Sequence, residues 1–279
     1  ALKESIKIMN VCNGKLKKRL LDGEILVAAQ TNMFQSTAVV EILSEAGYQM
    51  ITIDLEHSAL TIENVSEQVR LARALDIPCM VRVATPDYDN LNRVLDQGAD
   101  GLYVPRIRSV DEVRSIIRLI HYPPEGERGL AGYGCPLSKY RGWSTKAEQV
   151  RVVNENTVLG IQIETKEALD HMEEILALNG IDVAVIGCDD LTAALGIPGE
   201  TSNPLFIEAV ERFISLCQEN HIAPGVPCST PEAAFEWIRR GMRILWYGLD
   251  AGLLWEGASR RINGLREQLS GTEFEKFQK

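Results

Sequence analysis

The chain has 279 residues, 45% of them hydrophobic, and a formal net charge of −10 at pH 7. That length and apolar content suit one large core of the size usual for α/β barrels. An acidic chain without a basic run is a poor partner for nucleic acid or an anionic membrane. No apolar stretch approaches the roughly 18 residues that a membrane span needs. The six cysteines (12, 79, 135, 188, 217 and 228) show no CxxC or CxxH pairing. With no signal-peptide pattern in view, they read as reduced thiols of a cytoplasmic protein.

Segment 1–24 is Lys-rich and polar. From there, short apolar runs of strand type alternate with segments of helical period. The strand candidates are 25–30, 49–54, 78–83, 101–104, 158–163, 182–187, 222–226 and 243–248. Between them fall helix candidates. Ser36–Ala46 is closed by Gly47, and Ile62–Leu75 is opened by Thr61 or Asn64. Tyr88–Gln97 is closed by Gly98, and Val110–Ile120 follows Ser109 as N-cap. Lys166–Leu178, Pro204–Asn220, Pro231–Arg240 and Leu253–Leu269 complete the set, with Pro204 and Pro231 suited to a first helical turn. The Gly- and Pro-rich stretch Tyr122–Ser144 reads as a functional or mobile loop, and the polar end 270–279 as frayed.

Eight strands alternating with helices favour a parallel sheet closed as a (β/α)8 barrel. An open doubly wound sheet is the alternative, but Gln30-Thr31-Asn32-Met33 after the first strand is not a glycine-rich phosphate loop.

In a barrel, catalytic groups gather at the C-terminal ends of the strands. Here those ends carry Gln30, then Asp54-Leu55-Glu56-His57, Arg82, Pro105-Arg106, Gln162 with Glu164, Asp189 with Asp190, Pro227-Cys228-Ser229, and Tyr247 with Asp250. Polar groups converging where apolar strands end are costly to desolvate unless they serve each other or a ligand. Glu164 and Asp190 each follow a strand-like run, and two acids on neighbouring strands can gather a divalent cation. Each alone reads equally well as a surface acid in the first turn of a helix. His57 alone reads as a structural histidine; beside Asp54 and Glu56 it is a general-base candidate. Arg82 either neutralises nearby acids or stabilises an oxyanion. Gln162 alternates with Ile161 and Ile163, which turns it inward, as Glu164 then is. Cys188 and Cys228 read as small packing residues before nucleophiles. Asp189 and Asp190 are adjacent, so their side chains diverge and one of them is the metal candidate.

Taken together, Asp54-Leu55-Glu56-His57, Val81-Arg82-Val83, Tyr122-Pro123-Pro124-Glu125-Gly126-Glu127-Arg128-Gly129, Gln162-Ile163-Glu164-Thr165 and Ile186-Gly187-Cys188-Asp189-Asp190-Leu191-Thr192 resemble the HpcH/HpaI family of class II, metal-dependent 2-oxo acid aldolases. The resemblance runs from about Lys15 to about Leu269. It implies a single TIM-barrel domain of the phosphoenolpyruvate/pyruvate superfamily type over 1–279, with its core at about 15–269. The last helix is expected to swap onto a neighbouring subunit, in dimers that assemble to hexamers. It implies Mg²⁺, Mn²⁺ or Co²⁺ held by Glu164 and Asp190. A 2-oxo acid such as pyruvate or oxaloacetate would chelate that metal, with an aldehyde or other electrophile as its partner. Arg82 would meet the keto oxygen as it becomes an enolate, and His57, oriented by Asp54, would move the proton. Gln162 would line the pocket, and the backbone amides of Cys188 and Asp189 would receive the substrate carboxylate. Other reactions of such an enolate, citrate-forming condensation or oxaloacetate decarboxylation, are the alternatives within enzymes; an inactive scaffold barrel is the alternative outside them.

The chain also departs from that pattern. Members often carry Pro-Ala where Cys188-Asp189 stand, and Arg106 falls where the family is often uncharged. Trp246-Tyr247 is bulkier than usual. These changes leave the enolate half of the site intact and place the novelty at the acceptor.

Overall fold

A computed structural model describes residues 14–130 and 145–272. Eight parallel strands close into a barrel in sequence order: β1 (Leu26–Thr31), β2 (Met50–Asp54), β3 (Cys79–Arg82), β4 (Gly101–Val104), β5 (Val158–Ile163), β6 (Val183–Ile186), β7 (Ala223–Pro227) and β8 (Ile244–Leu249). β1 pairs with β8 to complete the closure. Each sequence-expected strand is present within one or two residues, because each is a short apolar run buried on both faces, the usual state of a parallel strand.

The period of two divides the core into two layers. Leu26, Ala28, Met50, Met80, Tyr103, Val158, Val183, Val185, Ile244 and Trp246 pack together inside the barrel. Val81, Leu102, Ile161 and Ala184, from the alternate positions, pack outward against the helices. Gly160 belongs to the inner row, where a Cβ would come within 3.2 Å of the Met80 methyl.

The helices that cover the barrel are α1 (Lys15–Leu21), α2 (Ala38–Glu45), α3 (Ile62–Ala74), α4 (Tyr88–Asp96), α5 (Val110–Ile120), α6 (Lys146–Asn156), α7 (Lys166–Asp170), α8 (Met172–Leu176), α9 (Cys188–Ala194), α10 (Pro204–Glu219), α11 (Pro231–Arg240) and α12 (Asp250–Leu269). Their starts are chemically marked. Ser109 accepts from the Glu112 amide and Thr230 from the Ala233 amide. The Thr61 amide donates to Asn64, so both residues form one cap.

Three differences from the sequence expectation stand out. Segment 1–24 contains α1, whose Leu16 is 1% exposed and joins the inner cluster, plugging the N-terminal mouth of the barrel. The expected helix 166–178 is two short helices, parted at His171, whose backbone leaves the helical region. Asp250, counted among the polar strand ends, is the first residue of α12; its carboxylate accepts from the amides of Asn32, Met33 and Phe34 and so ties β8 to the loop after β1. Of the Tyr122–Ser144 loop, residues 131–144 lie outside the described residues, as do Cys12, Cys135 and most of the C-terminal stretch 270–279. Among the described residues no helix is long and apolar enough to cross a membrane.

Candidate active site

The C-terminal mouth of the barrel opens into a cavity of about 670 Å³. His57, Arg82, Gln162, Glu164, Cys188, Asp189 and Asp190 all line it. Asp54 does not, because its side chain is fully buried, and of the other polar strand-end residues Glu56, Arg106 and Asp250 do not line it either.

Register explains where Asp54 goes. Asp54 and Arg82 are partners across β2 and β3, both in the inward row. Arg82 Nε donates to Asp54 Oδ1 at 2.7 Å and its terminal nitrogen to Oδ2 at 2.6 Å, a two-point clamp. Gln30 Nε2 also donates to Oδ2, and the backbone amides of Glu56 and His57 turn back onto the same carboxylate. Asp54 therefore meets His57 through the main chain and does not touch its ring. The carboxylate facing the ring is Glu56, 3.7 Å from Nε2. The expectation that Asp54 orients the His57 imidazole is corrected in this respect: Asp54 orients Arg82.

Arg82 is only 11% exposed at its side chain and contacts both Asp54 and Glu56. Burial disfavours its charge, but the Asp54 hydrogen bonds and the neighbouring acids outweigh that and hold the guanidinium firmly protonated. The nitrogen outside the clamp contacts Glu56, and the guanidinium lies beside the Tyr103 ring where Arg82 lines the cavity.

Glu164 continues the inward row of β5 past Gly160 and Gln162. Its Oε1 accepts from the Arg106 amide at 2.8 Å and its Oε2 from the Gln162 side-chain amide. The Tyr103 hydroxyl donates in turn to Gln162 Oε1, which orients that amide. Arg106 can aim its N–H at the acid because its backbone is left-handed, with φ 54°. Gly187 is the other local requirement: a Cβ there would stand 2.1 Å from Glu164 Oε2 and 2.4 Å from Gln162 Nε2. The carboxyl is 3% exposed, and burial, with Asp190 and Glu56 nearby, pushes its pKa up to about 7 against the opposing Arg106 amide. Among the described residues no ion pair neutralises it.

Asp190 sits in the first turn of α9 with its side chain about half exposed; Arg106 is 3.8 Å from it, a loose contact. Glu164 and Asp190 thus bring two hard oxygen donors to one wall of the cavity. Among the described residues no three His, Cys, Asp or Glu side chains are grouped to hold a metal. Two carboxylates leave most positions of a divalent cation's shell to water and substrate, and hard oxygen donors suit Mg²⁺-type ions. The donor set fits such an ion.

Cys188 and Cys228 line the same cavity. Burial pushes the Cys188 thiol up to about 12 and the Cys228 thiol up to about 11. Both stay protonated at neutral pH, the wrong state for a nucleophile.

Sequence reasoning did not single out Tyr103 or Gly187, nor Gly252, Leu253 and Glu256 of α12, which reach the cavity rim. Tyr103 stacks on Trp246 at 5.5 Å, and the Trp246 indole donates to Thr52, so this aromatic floor is held by the strands themselves. The period of two offered a signal for Tyr103, which lies opposite Arg82 in the β3–β4 register.

A parallel (β/α)8 barrel with a polar, acid-lined mouth at its C-terminal end is the architecture of a barrel enzyme. Comparison with known proteins narrows the class. The chain matches the family described as HpcH/HpaI aldolase/citrate lyase over residues 32–256, and it belongs to that family. It is 29% identical to a 2-keto-3-deoxy-L-rhamnonate aldolase of Escherichia coli O17:K52:H18, over 88% of this chain and 91% of that protein. The crystal structure of an HpcH/HpaI aldolase from Desulfitobacterium hafniense DCB-2 superposes with a TM-score of 0.84 at 29% identity, covering 90% of this chain and 96% of that one. Macrophomate synthase shares the fold, with a TM-score of 0.80 at 22% identity, 94% of this chain and 92% of that one being covered. The protein is accordingly an enzyme of the aldolase/lyase class, as the sequence motifs imply.

Proposed function

We propose that the enzyme makes or breaks a carbon–carbon bond next to a pyruvate-type enolate, using a divalent metal held by Glu164 and Asp190. The observation that carries this reading is the Glu164–Asp190 pair lining one cavity, with Glu164 buried, its acid driven up to about 7 and no ion pair to it among the described residues; Arg106 stands near both acids but makes only the loose 3.8 Å contact with Asp190. Such a pair is costly without a cation to receive it.

When bound, the metal supplies Lewis-acid stabilisation of the developing enolate oxygen. The chain's own groups do the rest. Arg82, clamped by Asp54 and held by Glu56, presents its guanidinium to the substrate's keto oxygen and balances the charge that grows there. His57 takes or returns the proton at the carbon beside that keto group, directly or through one water. Gln162, fixed by Tyr103, orients Glu164 and borders the substrate. The first amides of α9, at Cys188 and Asp189, receive the substrate carboxylate. The substrates are a small 2-oxo acid, pyruvate or oxaloacetate, and an aldehyde. The 2-keto-3-deoxy-L-rhamnonate aldolase named above makes a hydroxylated sugar-acid chain the class to try first.

The reading extends to a single barrel domain over 1–279 with its core at about 15–269, and to a cytoplasmic homo-oligomer, dimers building a hexamer. α12 supports the assembly, since Leu254, Trp255, Ile262 and Leu265 are all at least half exposed along it.

The direct test is solvent deuterium exchange into the pyruvate methyl group. Exchange that requires added Mn²⁺ or Mg²⁺ and stops with chelator is the expected result. Absence of metal-dependent exchange with pyruvate and with other 2-oxo acids would overturn the reading.

A further inference from the structure

Glu56 is part-buried beside Arg82 and His57 and carries no role in the scheme above. Its side chain is 11% exposed, and one oxygen, Oε2, faces two groups at once. Arg82 lies 3.1 Å away through the guanidinium nitrogen that Asp54 leaves free, and the His57 ring lies 3.7 Å away through Nε2. The first distance is a close ion pair; the second is beyond direct hydrogen-bond length and within reach of a charge contact. Catalytic contacts of this length in a substrate-free site commonly tighten when substrate arrives.

Asp54 cannot serve His57 in the same way. Its two oxygens already accept from Arg82 Nε, a terminal Arg82 nitrogen, Gln30 Nε2 and the amides of Glu56 and His57. The Glu56 main chain is pinned to Asp54 by the 2.9 Å hydrogen bond from its own amide, which sets the start of the turn that carries both Glu56 and His57. Burial makes the Glu56 carboxyl harder to ionise, and the neighbouring Arg82 and His57 oppose that.

We propose that Glu56 is the positioning residue that couples Arg82 to His57, holding the proton carrier and the enolate-stabilising cation on a single carboxylate oxygen. This rests on the roles given to Arg82 and His57 under the proposed function. Proton removal and charge accumulation occur in one step of that reaction, so a shared oxygen keeps the two groups in fixed relation as substrate enters. Glu56 touches neither substrate nor metal.

The test is a double-mutant cycle read by metal-dependent deuterium exchange into pyruvate. Glu56→Gln keeps the size of the side chain and removes its charge. The expected result is a fall in the exchange kcat of about tenfold or more, from the range spanned by positioned acid–base groups, with KM for pyruvate nearly unchanged. In a His57→Ala background the same substitution is expected to cost about twofold at most, because residues acting as a unit are non-additive. A parental rate in Glu56→Gln overturns the proposal, and so does an equal fall in both backgrounds, which marks a merely structural acid. Should Glu56→Gln fail to fold, Glu56→Asp keeps the charge, shortens the arm by one methylene, and enters the same cycle with the same criteria. If His57→Ala exchanges like the parent, the proposed function loses its proton carrier and the coupling falls with it. If His57→Ala is slow and Glu56→Gln is additive to it, only the coupling is lost.

Discussion

The two mouths of this barrel handle buried acids in opposite ways. At the N-terminal mouth Asp182 pairs with Lys17 at 2.5 Å and accepts from the Leu159 amide. Asp100 accepts from the Cys79 amide, and Leu16 of α1 fills the space between the strands. At the C-terminal mouth Glu164 has hydrogen bonds but no ion pair among the described residues, Asp190 is half open, and a cavity of about 670 Å³ takes the place of a plug. One end spends its charged groups on closing the fold. The other sets two acids at a cavity with only a loose 3.8 Å contact from Arg106 to Asp190, and that difference separates a site from a seal.

The largest expected effect breaks the open end alone. Glu164→Ala and Asp190→Ala should each abolish binding of Mn²⁺ measured by calorimetry, with the barrel still folded by circular dichroism. If both variants bind the metal as the parent does, the site lies elsewhere.

Next in size is Arg82→Lys. A single ammonium cannot clamp Asp54 at two points, reach Glu56 and also face the substrate. Loss of such a preorganised donor costs about 10² to 10³ in kcat. Metal affinity should stay at the parental level, and near-parental turnover would remove Arg82 from the mechanism.

The closed end should respond in the reverse sense. Leu16→Ala opens a hole in a packed inner cluster, and such substitutions cost about 2–5 kcal/mol. Denaturant unfolding should show that loss. Exchange activity of the folded fraction should change by about twofold or less, since distant sites behave independently. A large loss of activity at full folding would show that the two mouths are coupled.

The sequence made this contrast only partly visible. The strands were legible because each is a short apolar run, and the end of each run located the polar residues at one mouth. Glu164, Asp190 and Arg82 were found in that way, and the structure does bring them to one cavity. The partnership of Asp54 was not legible. It depends on the β2–β3 register, which places Arg82 beside it and leaves the His57 ring to Glu56. Neighbourhood along the chain suggested a different pairing, because three acidic or basic side chains within four residues cannot be assigned partners by spacing. The plug was missed for a related reason: Leu16 is one apolar residue in a Lys-rich stretch, and only the closed barrel gives it a cavity to fill. Tyr103 reads as core until the register sets it opposite Arg82 and its hydroxyl reaches Gln162.

The smallest effect is the one that sets the two mouths side by side in a single experiment. Burial raises Glu164 to about 7 at the open end and Asp100 to about 6 at the closed end, against usual carboxyl values of 4.5 and 3.8. Between the usual and the raised value the folded chain keeps a proton that the unfolded chain has released. Each acid therefore lowers stability as pH rises through its window, for Glu164 from 4.5 to about 7. A metal bound at Glu164 requires the ionised carboxylate and competes with that proton. Mn²⁺ affinity should accordingly tighten as pH rises towards 7 and level off above it. Saturating metal should then remove the Glu164 part of the fall in melting temperature and leave the Asp100 part, because Asp100 lies at the mouth opposite the proposed metal ligands. Glu164→Gln should lose the metal-sensitive part and keep the rest. Mn²⁺ affinity that is flat from pH 5.5 to 8.5 would mean that Glu164 is already ionised in the folded chain, and that the two ends treat their acids alike.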